Sequence, residues 1–224
     1  MKYSEFKKRF ISSILMIPAI FFIVLLGSHY FIFLLYLCFA ISIYEWINMS
    51  KSKKYLVPGL FLLMLSFYAA YNVRYSSYYE FDGAKLFLFI LFICVLTDLG
   101  GYFFGKMLKG PKLTKISPKK TITGFIGGFL LPLLVFYILL NSDILIFKDE
   151  ILNENFSSFI LFIIVISFIS QIGDITISYF KRLSGIKNSG NIIPGHGGIL
   201  DRIDGMIFVF PIFYLITRTD LFNF

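Results

Sequence analysis

Charge is what this chain is short of. Only 15% of its 224 residues are Asp, Glu, Lys or Arg, against about a quarter in an ordinary soluble domain. With 58% hydrophobic residues and a mean hydropathy of +0.81, the composition excludes that class and reads as an integral membrane protein. Cysteine is scarce as well. Cys38 and Cys94 both lie in apolar runs, which excludes a disulfide framework and reads as packing in a reducing or lipid setting. Internal repeats, low-complexity tracts and a soluble domain are all missing. The basic excess, +8, would suggest nucleic acid in a soluble chain. Here its placement matters more than its size, and no nucleic-acid partner is expected.

Apolar runs are what the chain has instead. They occupy residues 11–26, 30–46, 55–71, 85–104, 122–140, 156–180 and 205–217, so the expected fold is all-α, a polytopic membrane protein with about seven transmembrane helices. The opening MKYSEFKKRF imitates a signal peptide, but no small-residue cleavage site follows, so the first run is expected to stay as a span. Glu45-Trp46 stands where an interface anchor would lie. The 29 Phe and 14 Tyr read mostly as lipid-facing or core residues. Residues 1–84 are taken as N-terminal membrane helices and 85–224 as a catalytic membrane region.

Seven spans put the two termini on opposite sides, and charge tests that count. With the N-terminus cytoplasmic, 17 of the 21 basic residues fall inside, and only Arg74, Lys85, Lys148 and Arg218 fall outside, as the positive-inside rule requires. Asp98, Asp174, Asp201, Asp204, His196 and the lysine-rich segment 105–121 then meet at the cytoplasmic face. The expected location is a bacterial-type inner membrane, crossed many times.

The stretch 171–205 is the least greasy part of the second half. On a helix, Gln171, Asp174, Ser178 and Lys181 share one face, polar from end to end. Asp201 and Asp204, three apart, place two carboxylates side by side. Such a pair repels unless a cation lies between, and oxygen-only ligands favour a hard ion such as Mg2+. Lys181, Arg182, Lys187 and Arg202 surround the acids, and residues 194–198 form a glycine turn able to offer backbone N–H groups before a helix. Cations, open amides and a helix start suggest a phosphate site.

Each feature also has a plainer reading. Lys106, Lys109, Lys112 and Lys115 serve equally as topology signals, whereas Lys119 and Lys120, beside Ser117 and a glycine-rich helix start, are better ligand candidates. Asp98 and Asp174 each cost on the order of 3 kcal/mol at a helix centre unless paired or hydrated. They are functional, or else they pair with Lys181 or Arg182 to fix packing. His196 is a solvated turn residue or a phosphate contact, and its neighbours Gly197 and Gly198 serve the backbone more than the chemistry.

These residues resemble the signature of the phosphatidate cytidylyltransferases, the CDP-diacylglycerol synthases. The family's S-x-x-K-R-x4-K-D-x-G and I-P-G-H-G-G-x-x-D-R-x-D match Ser178, Lys181, Arg182, Lys187, Gly190, residues 193–198, Asp201, Arg202 and Asp204. Residues 98–102 are similar to its D-T/S-G-A-Y element, and 117–121 fit its S-P-K-K-T element. The resemblance runs over residues 96–205. Asn188 stands where the family has aspartate, Thr123 where a glutamate is common, and Leu99 and Gly101 alter the D-x-G-A-Y element.

The resemblance implies that CTP and phosphatidate give CDP-diacylglycerol and pyrophosphate in a membrane, with Mg2+ as cofactor, a second metal or a monovalent cation being compatible. It implies that Asp174, Asp201 and Asp204 hold the metal, with Lys181, Arg182 and Arg202 also in the catalytic group. Ser117, Lys119, Lys120, Ser178, Lys187, His196, Gly197, Gly198 and Asp98 would contact substrate. Membrane lipids are expected partners and a homodimer is a compatible assembly. Two other readings stand beside it: a CTP-dependent kinase of isoprenoid alcohols, which needs a clearer general base, and a small cation transporter, which would spread its acids towards midplane.

Overall fold

Lipid offers the backbone no hydrogen bonds, so a chain this apolar has to satisfy its own N–H and C=O groups within helices. The computed structural model describes residues 16–51, 53–75, 82–114, 117, 120–141, 156–193 and 197–218. Within them lie helices α1 (Met16–Leu26), α2 (Ser28–Ser50), α3 (Leu56–Tyr75), α4 (Gly83–Leu108), α5 (Ile122–Leu140), α6 (Phe156–Leu183), α7 (Leu200–Ile203) and α8 (Met206–Ile216). Only two isolated β-bridges accompany them among the described residues. The all-α expectation holds.

Five helices, α2 to α6, are long and apolar enough to cross a membrane, while α1 and α8 are shorter apolar helices. At 1.5 Å per residue, the 11 residues of α8 reach roughly half of a 30 Å hydrocarbon core. Thus length and composition support five of the seven expected spans among the described residues.

Local chemistry sets the helix ends near the site. The Asp82 carboxylate accepts from Ala84 N at 2.9 Å to start α4. Thr121 Oγ1 accepts from Gly124 N at 3.1 Å to start α5. Between them the lysine-rich loop doubles back, with Leu113 N donating to Lys120 O at 2.8 Å and Ile122 N to Pro111 O at 2.9 Å. Thr123 Oγ1 accepts from Gly110 N at 3.2 Å, so the residue that departs from the family pattern fastens this loop to α5. The helices themselves cross closely. A Cβ on Gly124 would stand 2.5 Å from Gly101 O, so the α4–α5 approach depends on bare backbone.

The first and second halves share one interior. Trp46 and Met49 of α2 and Leu63 of α3 pack with Ile177 of α6, Leu200 of α7 and Ile207 of α8. Trp46 is 2% exposed and donates through Nε1 to Leu56 O at 3.1 Å. Glu45 is 1% exposed. The pair expected as an interface anchor is therefore core, because Gly59 leaves room for the indole and ring partners Tyr55 and Phe180 enclose it.

Candidate active site

Polar side chains converge at the end of the bundle where α2, α4 and α6 finish. The last three turns of α6 carry Asp174, Ser178 and Lys181 on one face, and Ser178 Oγ donates to Asp174 Oδ1 at 3.3 Å. Lys120, delivered by the folded-back loop, meets Asp174 Oδ2 at 2.5 Å. Lys181 Nζ lies 2.9 Å from Asp201 Oδ1 and 3.4 Å from Asp204 Oδ2. The cation between the two carboxylates is thus an ammonium group. The three side chains are 8%, 7% and 11% exposed, so little solvent screens the ammonium from the acids.

Asp98, on α4, joins the same electrostatic group; its charged neighbours are Asp174, Lys120 and Arg202. The residue is exposed although α4 packs on both α5 and α6. Asp204, in the turn between α7 and α8, is pushed up to about 8 by burial first and by the Asp174 carboxylate second, against the pull of Lys181.

The other expected residues divide. Arg182 Nη1 donates to Ile186 O at 2.9 Å and caps its own chain, exposed. Lys187 is exposed in the loop, and Arg202 is exposed but within the electrostatic reach of Asp98. Ser117 closes a loop turn through its backbone, accepting from Lys120 N at 3.0 Å. Lys119 and His196 lie outside the described residues. Gln171, on the polar face of α6, abuts Gly128, and its Nε2 has no hydrogen-bond partner among the described residues.

The glycine turn differs most from its sequence reading. Gly197 takes φ +89° and Gly198 sits against Ser189 and Glu45, and four described amides around the turn are already taken. Gly198 N and Ser189 N donate to Asp201 Oδ2 at 3.1 and 2.9 Å. Ile199 N and Leu200 N donate to Glu45 Oε1 and Oε2 at 3.1 and 2.9 Å. The anion at these amides is the protein's own. Glu45 is the residue that sequence reading missed, although a carboxylate inside an apolar run carried the same signal that singled out Asp98.

The donor set suits a hard cation, since Asp98, Asp174 and Asp204 are oxygen-only and mutually interacting. Among the described residues no three Asp, Glu, His or Cys side chains are gathered into a cage. Magnesium commonly takes one or two carboxylates and completes its shell with water and substrate phosphates, so the residues fit an ion that arrives with a nucleotide. Asp201 suits it less, because Oδ2 is taken by two amides and Oδ1 by Lys181.

Comparison with known proteins gives this geometry a setting. The chain matches the cytidylyltransferase family model over residues 7–81 and 59–220. Over 165 residues it is 39% identical to a phosphatidate cytidylyltransferase of Staphylococcus haemolyticus, 40% to one of Staphylococcus epidermidis and 39% to one of Staphylococcus aureus. Each match takes in 73% of this chain and 61% of the relative, so less than two thirds of the relatives' length is covered.

Proposed function

Because this chain belongs to the cytidylyltransferase family, we propose that it transfers the cytidylyl group of CTP to phosphatidate, giving CDP-diacylglycerol and pyrophosphate. The observation that carries the reading is the interleaving of Lys120 and Lys181 with Asp174, Asp201 and Asp204 at one end of an apolar bundle. A lipid and a nucleotide, both anionic, can be brought together only where their charge is neutralised, and the membrane end is where both arrive.

A phosphate oxygen of phosphatidate attacks the α-phosphorus of CTP in line. The new P–O bond forms as the bond to the β-phosphate breaks, and pyrophosphate leaves with the electron pair. Neutralising these anions is the main task, and Lys120, Lys181 and Arg202 are the cations at hand. The lipid phosphate is ionised near neutral pH and needs no dedicated base. Asp174 and Asp204, beside Asp98, are the groups that would hold magnesium, which when bound supplies positive charge at the phosphates. Gathering these acids at one end, and not towards midplane, favours this chemistry over ion transport. The placement of basic residues supports a cytoplasmic N-terminus and a site open to cytosolic CTP.

The test is pyrophosphate release in detergent from CTP, phosphatidate and Mg2+. Omitting any one should stop turnover, and Asp174→Asn should lower kcat/KM by about a hundredfold or more. Turnover that ignores the lipid, or survives Asp174→Asn, overturns the assignment.

A further inference from the structure

Ser189 is gripped twice. Its N–H donates to Asp201, from within the loop, and its hydroxyl donates at 2.8 Å to Glu45 Oε2, from α2, 144 positions earlier in the chain. The same Glu45 carboxylate accepts from Ile199 N and Leu200 N. Gly190 and Gly198 press against it so closely that a Cβ on Gly190 would stand 2.6 Å from Oε1. Both limbs of the glycine loop, 188–190 and 197–200, are therefore fastened to one buried carboxylate. Its donors among the described residues are neutral, a hydroxyl and two amides.

What this carboxylate holds is the start of α7. That turn bears Asp201 and Arg202 and runs into Asp204, and Asp201 and Asp204 together seat Lys181. We propose that Glu45 is a positioning residue of the reaction described above: it sets α7 over α6 and so holds Asp201 and Asp204 against Lys181. A shift of about 1 Å in such a turn costs on the order of a hundredfold in rate. The kinetic part rests on the cytidylyltransferase reading; the fastening of the loop does not.

Glu45→Gln separates the two. It keeps the volume, but its amide nitrogen faces a backbone donor where an acceptor oxygen stood. In detergent-purified protein, tryptic cleavage after the exposed Lys187 should quicken about fivefold or more, with the thermal midpoint nearly unchanged, because only the loop is released. The kcat should fall about tenfold or more while KM for CTP stays within about twofold. Ser189→Ala should have a weaker effect in the same direction, and adding it to Glu45→Gln should cost little more, since both remove one clasp. Native cleavage and native kcat in Glu45→Gln overturn the proposal. So does a loss of activity that only follows a falling thermal midpoint, which would make Glu45 a general packing residue. If the native protein releases no pyrophosphate, the functional reading fails, while the cleavage rates still decide whether Glu45 holds the loop.

Discussion

Lys181 concentrates the electrostatics of the site in one side chain. Replacing it by Met leaves Asp201 and Asp204 facing each other without their ammonium, so Lys181→Met should lose activity and about 3 kcal/mol of stability, read as a lower thermal midpoint. Asp204 carries a pH signature. Burial first and the Asp174 carboxylate second push its carboxyl up to about 8 in the folded chain, against an ordinary value of about 4 in the unfolded chain. The folded state thus binds the extra proton between those values, and the stability Asp204 contributes is greatest below pH 4 and lost as pH rises towards 8. In metal-free protein, thermal midpoints measured from pH 5 to 8 should fall more steeply for the native chain than for Asp204→Asn. Asp98 and Asp174 were visible in the sequence as costly residues in apolar surroundings, and Asp201 and Asp204 as a pair of carboxylates three apart. Which cation meets which acid was not, because Lys120 reaches Asp174, and Lys181 reaches Asp201 and Asp204, across loop and helix contacts that no local spacing encodes.

At the scale of elements, the α4–α5 crossing decides where the lysine loop lies. Gly124 faces the carbonyl of Gly101, and Gly105 packs on Thr121 and Gly124. Gly124→Val should push the helices apart, cost about 1–3 kcal/mol by overpacking and carry Lys120 away from Asp174. Turnover should fall further than the thermal midpoint alone accounts for. The helical runs were legible because their apolar length is a direct consequence of bilayer thickness. The span 122–140 coincides with α5, and α6 extends the expected 156–180 by three residues. The extension has a physical reason: the polar end of α6 buries Lys181 against α7 instead of ending at the apolar boundary. Within the segment 105–121, read as a basic tract, Gly110 is tied to Thr123 and the start of α5 is capped by Thr121, hydroxyl contacts that charge counting ignores.

For the whole molecule, the boundary drawn at residue 84 is not a boundary in the core. Trp46 and Leu63 pack with Ile177, Leu200 and Ile207, and Glu45 reaches the glycine loop. A chain comprising residues 82–224 alone should therefore give no turnover, and co-expression with residues 1–81 should restore it, measured as CTP-dependent pyrophosphate release in membranes. Trp46→Ala should destabilise the protein by about 3–5 kcal/mol through the cavity it leaves.

Composition and periodicity by themselves determined that this chain lies in a membrane as helices, because hydrocarbon tolerates no unpaired backbone and few charges. The run of acids, lysines and glycines from 171 to 205 marked the part of the chain where polar side chains gather. Only the tertiary structure decided how those groups are used. It placed an ammonium between Asp201 and Asp204, turned Asp201 into a fastening for the glycine loop, and brought Glu45 to amides that looked open to phosphate. The physical reason is that a hydrogen-bond donor takes the nearest acceptor in space, and nearness in space across a helical bundle is set by packing and not by distance along the chain.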